Sequence, residues 1–187
     1  MLGLKRGTVT LCPHEEEWER TAVETVELLR GIFGSLAADV QHVGSTSVRG
    51  IRAKPILDIA VAVRDMEAVR ELIPELERAG VIFRGEDHPG EFLFVMGDFE
   101  KDTRTHHIHV CPENGTDWNN YLNFRDYMNA HAEKAAEYDR LKGELAEKYA
   151  LDRGSYTAGK AEFIAGILRE AEAWRCRDAI PGQLTLD

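Results

Sequence analysis

Between Pro55 and Val63 the chain reads Pro-Ile-Leu-Asp-Ile-Ala-Val-Ala-Val, apolar at every position but one. Side chains of a strand alternate between its two faces, so a strand apolar at both parities needs cover on both sides. That demand points to an α/β (α+β) chain, a mixed sheet flanked by helices. The exception inside the run is Asp58. A carboxylate among Ile56, Leu57, Ile59 and Val61 is costly unless it is paired, hydrogen-bonded or bound to metal.

The flanking sequence supplies the rest of such a fold. A helix is expected from Pro13, carrying Trp18, Val23, Val26 and Leu29, and ending at Gly31 to Ser35. Asp39 to Val43 reads as a strand, and Asp65 as the cap of a helix over Met66 to Ala79 that Pro74 kinks or divides. Val81 to Phe83, Glu91 to Met96 and Thr105 to Val110 read as further strands. Gly85 to Gly90 is expected as a loop and Gly97 to Arg104 as a turn. Asp117 to His131, Ala132 to Ala150 and Thr157 to Arg175 read as three helices. We expect one unit over 1–176, with the sheet over about 1–112 and a helical C-terminal third over 117–176. A loose tail is expected over 177–187.

The densest group of polar candidates follows the strand that ends at Val43. Gly44-Ser45-Thr46-Ser47 is a turn of small residues whose amides and hydroxyls can hold an anion, and Lys54, Arg49 and Arg52 add positive charge. A carboxylate beside such a turn can carry Mg²⁺ or Mn²⁺ bridged to a ligand's phosphates. The competing reading is a polar turn next to a solvated aspartate. In Thr105-His106-His107-Ile108-His109-Val110, alternation puts His107 and His109 on one face. If that strand lies near Asp58, a set of one carboxylate and two imidazoles could bind metal or ligand; otherwise these histidines bond within the sheet. In the helical third, Arg125, Tyr138, Lys142, Tyr156 and Lys160 are candidates to face the turn. Tyr138/Lys142 and Tyr156/Lys160 are each spaced i, i+4.

Four blocks together resemble the GrpB family. They are His42-Val43-Gly44-Ser45-Thr46-Ser47-Val48, Ala53 to Ile59, Arg104 to Val110 and Asn123-Phe124-Arg125-Asp126-Tyr127. The spacings Tyr138…Lys142 and Tyr156…Lys160 fit it too. The family is placed in the nucleotidyltransferase superfamily, and similar domains occur fused to dephospho-coenzyme A kinase. The resemblance implies a nucleotidyltransferase-like fold. Superfamily enzymes follow a Gly-Ser turn with a strand bearing two acids one position apart, which hold two metals for displacement at phosphorus. Here Gly44-Ser45 matches the turn and Asp58 the first acid, but Ala60 stands at the second. Arg49 departs from the proline common in the family. The implied function is binding of a nucleotide or other phosphate-bearing small molecule, with Asp58, His107 and His109 as catalytic or metal-binding residues and metal-dependent nucleotidyl transfer. The alternative is a non-catalytic ligand-binding or regulatory module that lacks the second acid.

Charge excludes some partners. With 23 Lys and Arg against 33 Asp and Glu, the net charge of −10 argues against broad nucleic-acid binding. No apolar run is long enough to span a bilayer, and no signal peptide is expected. Cys12, Cys111 and Cys176 are too scattered for a disulfide framework, which suits a cytoplasmic chain.

Overall fold

The computed structural model describes residues 2–178. Its centre is a five-stranded mixed sheet, β2-β3-β7-β5-β4, formed by β2 (Ala37–Val43), β3 (Leu57–Val63), β4 (Ile82–His88), β5 (Glu91–Met96) and β7 (His106–Pro112). β3 and β7 run parallel, and the other pairings are antiparallel. A second ladder, not anticipated from the sequence, pairs β1 (Leu4–Lys5) with β6 (Thr103–Arg104).

Both faces of β3 are covered, as its composition requires. On one side lie α1 (Glu16–Phe33) and α2 (Met66–Arg78). Trp18, Ala22, Leu29 and Phe33 of α1 and Val69 and Leu76 of α2 join Leu57, Ile59, Val61, Phe94, Ile108 and Val110 in one core. Full burial of each large apolar side chain contributes about 1.5–3 kcal/mol, which explains the four-residue and three-residue spacing along α1. On the other side lies α3 (Thr116–Ala130), whose Trp118, Tyr121 and Leu122 close over Val43, Ala60, Ala62 and Cys111. α4 (Ala132–Lys148), α5 (Arg153–Ala158) and α6 (Ala161–Asp178) complete the helical third. Phe124, Tyr138 and Ile167 build a second core there with Val48 and Ile51 of the loop after β2. Among the described residues no helix is long and apolar enough to cross a membrane.

Several expected boundaries move. α1 starts at Glu16, because Cys12 is held in a bridge to Ala53 that keeps the chain around Pro13 extended. β3 starts at Leu57, two residues after Pro55, since proline has no amide for the ladder. α2 is neither ended nor divided at Pro74; it runs on to Arg78. β4 extends through the expected Gly85 to Gly90 loop to His88, pairing His88 with Glu91 across a tight hairpin with two register shifts. Part of the Gly97 to Arg104 turn is β6. The expected Thr157 to Arg175 helix is two helices, broken near Gly159, where a Cβ would lie 2.5 Å from Leu145. Of the expected tail, Arg177 and Asp178 continue α6, and 179–187 lie outside the described residues.

Candidate functional site

Strand register brings the first candidates together. Asp58 is the partner of His107, and Ala60 of His109, across the parallel β3/β7 pair. Period-2 alternation then sets Asp58, His107 and His109 on the face that α3 covers, while His106 turns to the opposite face and meets Thr25 of α1 at 3.1 Å. His107 Nδ1 lies 3.3 Å from Asp58 Oδ1, and His109 Nε2 lies 3.7 Å from the same oxygen. The other ring nitrogen of His109 is 2.9 Å from Glu91 Oε1, and the Tyr121 hydroxyl donates to Glu91 Oε2 at 2.8 Å. Arg153 approaches His107 Nε2 at 3.5 Å. With that guanidinium as donor, His107 carries its proton on Nδ1, toward Asp58.

These contacts decide the charges. Burial opposes ionisation of Asp58, but the hydrogen bonds and charges of His107 and His109 outweigh it and hold the carboxyl far below its usual range. Burial likewise opposes a charged His109, yet Asp58 and Glu91 together raise it to about 9. Glu91, only 1% exposed, is kept ionised against its burial by His109 and Tyr121.

Gly44 forms the roof over the carboxylate. Its φ of 70° and ψ of −167° lie in a region open in practice only to glycine, and a Cβ there would lie 2.3 Å from Asp58 Oδ2. The Ser45–Ser47 turn that follows is closed by Ser47, whose hydroxyl donates to the Gly44 carbonyl at 2.7 Å. The Thr46 hydroxyl lies 2.9 Å from His42 Nε2. Ser45 reaches the Tyr138 hydroxyl of α4 at 3.5 Å.

Asp58, Ser45 and Lys160 are shared by two adjoining chambers. One, of about 170 Å³, is lined by four cations, Lys54, Lys142, Lys160 and Arg153, with His107 and Tyr156. The other, of about 280 Å³, is lined by Tyr121, Phe124, Tyr138, Ile164 and Leu168, with Asn120 and Asp117 as its polar groups. The lysines are drawn in by tyrosine rings. Lys54 and Lys160 sit 5.3 and 4.7 Å from the Tyr156 centroid, and Lys142 sits 4.8 Å from that of Tyr138. The Lys142 ammonium also donates to the Arg52 carbonyl. Burial first, and then mutual repulsion, lowers Lys54 to about 8. Lys142 falls to about 7, through burial foremost and the charges of Lys160 and Arg52, against the pull of Asp139.

Not every expected residue joins this site. Arg125 is engaged elsewhere: its guanidinium donates to Asp126, to Gln41 Oε1 at 2.8 Å and to the His42 carbonyl at 3.1 Å. With Ser47 it lines a separate open groove of about 740 Å³ between the turn and α3–α4. Ala60, at the position of the missing second acid, is fully buried against Val43, Ala62, Cys111 and Trp118. Sequence reasoning missed Arg153, Glu91, Tyr121, Asp117 and Asn120. Of these only Glu91 left a trace, as a charged residue opening an apolar strand.

The donor set fits one divalent ion and does not fit two. His109 has Nε2 toward Asp58 and Nδ1–H on a carboxylate, the outer-shell arrangement that orients a metal-bound imidazole. Asp58 supplies one carboxylate, enough for an ion that also binds substrate phosphates. To bind it, His109 would give up its Nε2 proton, and His107 would have to give up its Nδ1 proton to join them.

Known proteins share this architecture. The Cid1 poly(U) polymerase in a crystal structure with MgGTP superposes with a TM-score of 0.52 at 14% identity, over 73% of this chain and 44% of that one. The fold is therefore that of the nucleotidyltransferases. The family model for GrpB protein matches residues 8–170. The glutamate-rich protein GrpB of Alkalihalophilus pseudofirmus is 40% identical over 91% of this chain and 99% of its own. The crystal structure of GrpB from Enterococcus faecalis superposes with a TM-score of 0.81 at 31% identity, over 88% of this chain and 99% of that one. This chain belongs to the GrpB family.

Proposed function

We propose that this protein binds a nucleoside polyphosphate, phosphates in the lysine chamber and base in the aromatic one, and transfers its nucleotidyl group to a small acceptor. One observation carries the reading: Asp58 stands on the wall shared by a chamber with four cations and a chamber of aromatic and aliphatic side chains. In a chain of net charge −10, four cations around 170 Å³ make a strong local preference for an anion. Asp58 and His109 would hold one divalent ion, Mn²⁺ in preference to Mg²⁺ because one donor is an imidazole, and that ion when bound would offset the charge of the phosphates. Lys54, Lys160 and Arg153 bind and orient the phosphate chain, and Ser45 adds a hydroxyl donor. In the transfer, the acceptor's hydroxyl oxygen bonds to the α-phosphorus and the bond to the bridging oxygen breaks. Pyrophosphate leaves with that electron pair, and the hydroxyl proton passes to His107 Nε2, which is freed when the Arg153 guanidinium turns from it to the phosphates. The free thiols of Cys12, Cys111 and Cys176 suit a reducing compartment, the cytoplasm.

The test is a thermal-shift and isothermal-titration panel of nucleoside triphosphates with Mn²⁺, followed by a transfer screen with labelled nucleotide. A triphosphate at 100 times its dissociation constant adds about 2.7 kcal/mol, or roughly 5–10 °C at this chain length. Asp58→Ala and Lys160→Met are expected to remove the shift. A flat panel, or unchanged affinity in Asp58→Ala, ends the reading.

A non-catalytic binding module is favoured by a different observation, the buried Ala60 in place of a second acid. Binding with no transfer to any acceptor would select it.

The lysines also set a pH dependence. Lys54 and Lys142 lie below the free lysine value of 10.5, so between about 7 and 10.5 the unfolded chain holds more protons. Their contribution makes the ligand-free protein more stable as pH rises across that window. Phosphate binding needs the charged forms, so affinity is expected to fall over pH 7 to 9, with proton uptake on binding. Titration calorimetry in buffers of different ionisation enthalpy reads both; an affinity flat over that range would refute the assignment of Lys54 to the phosphates.

A further inference from the structure

We infer a second cation site, for Zn²⁺ or a similar transition-metal dication, formed by His88, Glu91 and Asp117, the last of which also lines the aromatic chamber. Each residue offers one donor atom, and all three donors lie within 4.8 Å of one another. His88 Nε2 is 3.7 Å from Glu91 Oε1 and 3.8 Å from Asp117 Oδ1. The three come from separate elements. His88 ends β4, Glu91 opens β5 as its cross-strand partner, and Asp117 stands in the first turn of α3. The tight hairpin joins His88 to Glu91, three residues on, and α3 brings Asp117 to them.

The donor chemistry selects the ion. Mg²⁺ and Ca²⁺ take oxygen ligands, whereas an imidazole with two carboxylates suits zinc-like ions. Three protein ligands leave a fourth position open, the arrangement of zinc sites that bind a ligand or water. Asp117 also lines the chamber that Asp58 shares, whereas His88 and Glu91 stand outside its lining. Glu91 is anchored by His109 and Tyr121, so the ligand is held before any metal arrives, while His88 remains exposed as an entry. Asp58 is not a member of the set, to which it is linked only through His109 and Glu91, and the inference does not depend on nucleotide binding.

The full chain, freed of metal with a chelator, is titrated with Zn²⁺ alone by calorimetry and with Co²⁺ by visible absorbance. One equivalent is expected to bind, with a Co²⁺ band for mixed nitrogen and oxygen ligation. His88→Ala and Asp117→Asn, both at sites that are not fully buried, are each expected to weaken binding about 100-fold, at the top of the range for outer-shell losses or beyond it. Asp58→Asn is expected to keep that equivalent. Absence of binding in the wild type overturns the inference. So does binding that survives His88→Ala, or binding that is lost in Asp58→Asn but kept in His88→Ala.

Discussion

Gly44→Ala is expected to abolish triphosphate binding and to cost at least about 1–3 kcal/mol of stability. Two independent penalties meet at this position. A side chain strains the backbone, since φ 70° with ψ −167° is open in practice to glycine alone. The added methyl would also lie 2.3 Å from Asp58 Oδ2 and 2.9 Å from its Cβ. Relief requires either the turn to lift or Asp58 to swing. The first carries Ser45 away from the chamber wall, and the second breaks the contacts to His107 and His109. Either way the site changes more than the fold does. Gly166→Ala, on α6 with only the tip of Arg169 near, serves as the control and is expected to be neutral or to stabilise by up to about 1 kcal/mol. Urea melts and triphosphate titrations on both variants read the outcome. Wild-type affinity in Gly44→Ala would show that the roof over Asp58 has no part in binding.

The sequence carried the faces of the sheet better than it carried the neighbours on each face. β3 declared itself through residues apolar at both parities, and alternation alone put His107 and His109 together. Their meeting with Asp58 depends on a parallel register between strands 49 residues apart, fixed by α2 and the β4–β5 hairpin between them. No local signal encodes that register. The same gap explains Glu91, whose importance lies in facing His109 across β5/β7, and Arg153, which reaches His107 only because α5 folds back onto the turn. Arg125 erred the other way. Its residue type suits phosphate, but Gln41 and the His42 carbonyl are nearer and take its donors. Lys160 was placed by an i, i+4 spacing that the break between α5 and α6 removes, yet it still lies 4.7 Å from the Tyr156 ring.

Glu91→Ala is expected to be among the most damaging single changes on the sheet, at about 3–5 kcal/mol. The carboxylate is almost without solvent and accepts from both His109 and Tyr121. Its removal leaves a buried imidazole that Asp58 alone must compensate and a hydroxyl with no acceptor on Glu91. Tyr121→Phe removes one neutral donor and is expected to cost only about 1 kcal/mol, although Tyr121 can also approach His109 Nδ1 at 3.0 Å. The double variant should therefore cost about as much as Glu91→Ala alone, about 1 kcal/mol less than the two single losses together, since the tyrosine has little left to lose once Glu91 is gone. A second consequence separates a relay from simple packing. Glu91 lies outside both chambers' linings, so a purely structural role predicts lower stability with triphosphate affinity intact in the folded fraction. If Glu91 instead fixes His109, and His109 fixes Asp58, affinity falls along with stability. Glu91→Gln, which keeps the shape and loses the charge, is then expected to recover more of the stability than of the affinity. Urea denaturation and calorimetry on the same four proteins distinguish these outcomes, and a cost below about 1 kcal/mol for Glu91→Ala would mean that the buried triad does not hold this face together.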